Sequence, residues 1–72
     1  MNTNDKLKKL IIKSSYFSLT KINEYWQIEI SKKTDTFPAK GVDDKYFEVD
    51  DGTYSKVINK AYSKMVKEWG EK

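Results

Sequence analysis

At 72 residues and 8.5 kDa, with a formal net charge of +3, the chain has room for one small domain, residues 1–72, built around one core. All 14 cationic side chains are lysine, because arginine and histidine are both missing, and there is no cysteine. The side chain that titrates near neutrality, the strong thiolate nucleophile and the bidentate phosphate fork are therefore unavailable, which argues against an enzyme. Disulfide staples and thiolate zinc sites are excluded too, leaving carboxylate chemistry suited to calcium or magnesium.

Stability must come from packing, and the aromatic residues, 14% of the chain, are the expected source. At the N-terminus Lys6, Lys8 and Lys9 precede only the short apolar run Leu10-Ile11-Ile12, too short for the core of a signal peptide. No segment approaches the roughly 18 apolar residues of a membrane span. The expectation is an intracellular protein, cytoplasmic in a bacterial host. Lysine without arginine, with abundant Asn, Ile and Tyr, is the usage of AT-rich genes and suggests a low-GC bacterium or a phage or mobile element within one.

Thr3 or Asn4 is the expected N-cap of a short helix beginning near Asp5. Leu7, Leu10, Ile11 and Ser14 share one face of it, Lys6, Lys9 and Lys13 the other, and Ser14-Ser15 marks its end. From Tyr16 to Thr20, Phe17 and Leu19 alternate as in a strand, although an irregular continuation of the helix fits as well. Tyr25 to Ser31 is a clear half-buried strand, with Trp26, Ile28 and Ile30 facing the core.

Lys32 to Thr36 reads as a hairpin loop and Phe37 to Val42 as a returning strand, at an edge or starting at Pro38, with a bulge at Gly41. Asp43-Asp44 makes the next turn, and Tyr46 to Asp50 is a strand with Phe47 and Val49 inward. The last element is the strongest. Tyr54, Val57, Ile58, Ala61, Tyr62, Met65, Val66 and Trp69 follow helical spacing throughout, with Asp51 or Thr53 as N-cap and Gly70 as the terminating residue. The expected fold is α+β: a two-layer sandwich of three or four antiparallel strands, covered by a long C-terminal helix with a short N-terminal helix beside it.

Three features can carry function. Lys56, Lys60, Lys64 and Lys67 line one solvent edge of the C-terminal helix and can track a nucleic-acid backbone, although lysine on a solvent face is ordinary and sequence reading usually relies on arginine. Asp43, Asp44, Glu48, Asp50 and Asp51, offset only by Lys45, give their window about −4 against about +7 elsewhere. Such a segment can mimic a phosphate row, hold calcium or dock on a basic groove, but Asp also suits turns and helix caps, and EF-hand spacing is absent. The third is the tyrosines. Tyr25 and Tyr46 lie opposite Trp26 and Phe47 and so belong to the open side of the sheet, where tyrosines make good interface anchors.

The serines lack a histidine to activate them, and Ser55-Lys56 and Ser63-Lys64, as helix neighbours, diverge by about 100°. The helix-sheet-helix order and the length share the outline of the double-stranded-RNA-binding domain. That family's loop histidine is missing, and Gly52-Thr53-Tyr54-Ser55-Lys56 does not reproduce its glycine-rich, lysine-paired approach to the second helix.

The favoured expectation is a non-enzymatic protein-binding module, such as a phage or mobile-element inhibitor of a host defence protein, with contacts at Tyr25, Glu29, Asp43, Asp44, Tyr46 and Glu48. The alternative is a nucleic-acid-backbone binder using Lys56, Lys60, Lys64 and Lys67. A third is an assembly subunit pairing through the edge at Phe37 to Val42. None of these requires a metal, a cofactor or a small-molecule substrate.

Overall fold

The structure is a computed structural model and describes residues 2–32 and 45–70. Its elements run α1 (Thr3–Lys13), β1 (Tyr16–Ile22), β2 (Tyr25–Lys32), β3 (Lys45–Asp51) and α2 (Tyr54–Trp69). The expected strand at Phe37 to Val42, the loop from residue 33 onward and the turn at Asp43-Asp44 lie outside the described residues.

Helix α1 starts earlier than its sequence suggests. Asn2, rather than Thr3 or Asn4, is the cap: its Oδ1 accepts the Asp5 N–H at 2.8 Å. Asp5 in the first turn and Lys13 in the last complement the helix dipole. Ser14 returns to extended backbone, and the Ser15 N–H donates to the Ser31 carbonyl at 2.9 Å, so the chain passes directly from helix into sheet.

The ambiguous segment after Ser15 is a strand, and it continues to Ile22. A two-residue turn at Asn23-Glu24 then joins β1 to β2, with Ile22 paired to Tyr25. Asn23 takes a φ of 53°, the left-handed conformation that asparagine tolerates best after glycine and that tight hairpins need at their tips. Lys32 closes β2 as strand rather than opening a loop.

The sheet is antiparallel in the order β1-β2-β3. Its register stacks Phe17-Ile30-Phe47 and Leu19-Ile28-Val49 as cross-strand rows on one face. Helix α2 lies over those rows. Thr53 caps it, its Oγ1 accepting the Lys56 N–H at 3.3 Å, and Gly70 ends it at φ 70° with its N–H donating to the Val66 carbonyl at 3.1 Å. Sixteen residues give it a length of about 24 Å, enough to span the sheet.

The core is Leu10, Ile28, Ile30, Phe47, Val49, Val57, Ile58, Ala61, Met65 and Trp69, bordered by Leu7, Phe17, Leu19, Trp26 and Tyr62. Edge-to-face aromatic pairs close both ends: Phe47 with Trp69 at 5.4 Å and Trp26 with Tyr54 at 5.2 Å between centroids. Helix α1 rests chiefly on α2 and only lightly on β1. That tilt corrects two expectations. Ile11 is 49% exposed instead of buried, because Leu7 and Leu10 fill the seam against α2. Lys6 turns toward α2 instead of away, donating to Asn59 Oδ1 at 3.0 Å and lying 5.7 Å above the Tyr62 ring. Among the described residues no helix is long and apolar enough to cross a membrane.

Candidate sheet-face interface

Both helices lie on one side of the sheet, so its other face is uncovered by any described element. Strand alternation sends Tyr16, Ser18, Thr20 and Ile22 of β1, Tyr25, Gln27, Glu29 and Ser31 of β2, and Tyr46, Glu48 and Asp50 of β3 to that face. Pairing arranges them in rows: Tyr16-Ser31-Tyr46, then Ser18-Glu29-Glu48, then Thr20-Gln27-Asp50.

Of the sequence-derived contacts, Tyr25, Glu29, Tyr46 and Glu48 therefore share one surface, while Asp43 and Asp44 fall outside the described residues. Tyr16 (51% exposed), Tyr25 (39%) and Tyr46 (57%) stand out from it into solvent. Ser31, between Tyr16 and Tyr46 in the same row, is buried at 4% exposed. Tyr16 and Asp50 are the members that sequence reasoning left out. Tyr16 joins the row only through the β1-β2 register, whereas Asp50, two residues after Glu48, is legible from strand alternation.

Glu48 is the hub of the face. Its Oε2 accepts from the Tyr46 hydroxyl at 3.2 Å and, more weakly, from Gln27 Nε2 at 3.4 Å. Glu29 lies directly across the ladder from Glu48, yet it accepts no hydrogen bond and forms no ion pair among the described residues. Desolvation against the sheet, then the charges of Glu48 and Glu29, push the Tyr46 hydroxyl above its ordinary 10.0, so it stays a neutral donor at physiological pH.

Asp51 belongs to the other side of the sheet. Its Oδ2 lies 3.4 Å from Lys60 Nζ, and although desolvation raises its pKa, Lys60 and the backbone amides of Gly52 and Thr53 outweigh that and hold it below the ordinary 3.8. The acidic segment 48–51 is thus divided by the pleat: Glu48 and Asp50 face solvent, and Asp51 ties the sheet to α2.

The lysine stripe of α2 is divided as well. Lys60 is held by Asp51 and donates to the Asp50 carbonyl at 2.9 Å. Lys64 pairs with Glu68 at 2.6 Å and lies 5.7 Å above the Phe47 ring. Lys56 and Lys67 are exposed and make no ion pair among the described residues. Among those residues there is neither a pocket nor a grouping of three metal-ligating side chains. Compared with known protein families, curated proteins and solved structures, the chain matches none.

Proposed function

We propose that this chain is a non-enzymatic protein-binding module that docks through the uncovered face of its sheet, in the manner of a small inhibitor deployed by a phage or mobile element against a host defence protein. One observation carries the reading: three exposed tyrosines and three carboxylates share a face that the chain leaves uncovered with its described elements. Tyrosine supplies large contact area at low entropic cost, and a sheet face presents it on rigid backbone.

The test is capture from nuclease-treated lysate of a low-GC bacterium, comparing the parent chain with Tyr46→Ala and with the double variant Glu29→Lys/Glu48→Lys. A protein retained by the parent and lost from both variants is the expected outcome. Retention unchanged in both variants sinks the reading. The nucleic-acid alternative has less support, since Lys60 and Lys64 are already engaged within the fold. It predicts DNA or RNA retention at about 50 mM salt that fades steeply as salt rises.

A further inference from the structure

We infer that the group this face receives is an arginine side chain, presented by a basic surface of the partner protein. The inference rests on the docking role proposed above and adds the partner's chemistry.

The first ground is charge. The protein is net cationic, yet no described position on the open face is a lysine. Lys21, Lys32 and Lys45 occupy strand positions of the helix-covered side, and the other described lysines are on α1 and α2. Glu29, Glu48 and Asp50 therefore share that face with no lysine among its described positions. Two like charges directly opposite in a ladder destabilise it, and Glu29 and Glu48 stand so paired without a lysine beside them on the described face.

The second ground is geometry. Side chains directly opposite have Cβ atoms about 5 Å apart, so one guanidinium, with N–H donors on several edges, can reach both the Glu29 and the Glu48 carboxylate. The adjacent row offers Tyr16 and Tyr46 as exposed rings on which a planar guanidinium can lie while its N–H groups reach the carboxylates. A lysine ammonium is a compact charge that cannot lie flat on the rings while reaching both carboxylates. The chain itself contains no arginine, so neither another part of it nor a second copy can supply this group.

Oligo-arginine and oligo-lysine peptides of equal length, titrated into the full isotope-labelled chain at ~0.1 M salt, test the assignment by amide chemical shifts. Oligo-arginine is expected to move Tyr16, Glu29, Tyr46 and Glu48, to bind about tenfold more tightly than oligo-lysine, and to lose about tenfold in affinity for the Glu29→Gln/Glu48→Gln variant. Equal binding of the two peptides, shifts centred on Asp5 or Glu68 of the helices, or an unaffected variant would each overturn it. The two ideas fail separately. A captured protein that needs Tyr46 but ignores the double Gln change leaves docking standing and removes the arginine.

Discussion

Glu29 and Asp51 are both carboxylates of the sheet, and their surroundings give them opposite consequences. Asp51 has a cation and backbone donors, which hold its pKa below 3.8. A depressed carboxylate contributes stability that is fully present above the unfolded-state value and disappears as pH falls through the folded one. Asp51→Asn should therefore lower the melting temperature at neutral pH, with the gap to the parent closing in acid, as read by circular dichroism melts. Glu29 sits between Ser18 and Glu48, and Glu48 is the only charge directly across from it. Replacing it with Gln relieves that repulsion and should raise unfolding free energy by about 0.2–1 kcal/mol in urea titrations while weakening partner binding. A residue whose removal stabilises the fold and impairs docking is kept for the docking.

The five described elements depend on local signals of unequal strength. α2 is marked at both ends. Thr53→Ala should cost about 1 kcal/mol by leaving the Lys56 N–H without its acceptor, and Gly70→Ala about 1–2 kcal/mol because alanine is strained at φ 70°. Chemical denaturation of the two variants checks both figures. The hairpin tip responds to the same logic: Asn23→Gly should be tolerated and Asn23→Val should destabilise, since a β-branched residue resists φ 53°. α1 has weaker instructions. Its run Leu10-Ile11-Ile12 offers three adjacent apolar residues where a helix needs one face, and only Leu10 is buried. Which of them turns inward depends on where α2 lies.

At the scale of the molecule, the described residues separate their lysines from the sheet-face carboxylates by layer. Among the described residues, lysine covers the helical side, where ammonium groups lie over Tyr62, Trp26 and Phe47, and acid and tyrosine occupy the face of the sheet turned from the helices. One small core supports both surfaces, and a chain of this size draws only about 3–5 kcal/mol from it. Ile28→Ala or Ile58→Ala, each emptying a fully buried site, should cost about 2–5 kcal/mol and leave most of the chain unfolded, visible as lost amide dispersion in NMR spectra. Substitutions at the exposed tyrosines of the sheet face remove no core side chain, so their effect on docking can be read beside a smaller effect on folding.

Periodicity alone decided the long helix, strands β2 and β3 and their inward residues, because burial on one face of a regular element imposes a 3.6- or 2-residue repeat that any reader of the chain can find. The same alternation already put Tyr25, Glu29, Tyr46 and Glu48 outside. It could not decide register. That Glu29 meets Glu48, that Tyr16 joins Tyr46 across Ser31, and that Asp51 and Lys60 cancel one another are pairings between residues distant in sequence. They follow from how strands align and where α2 comes to rest, positions set by the packing of the core as a whole rather than by any segment of it.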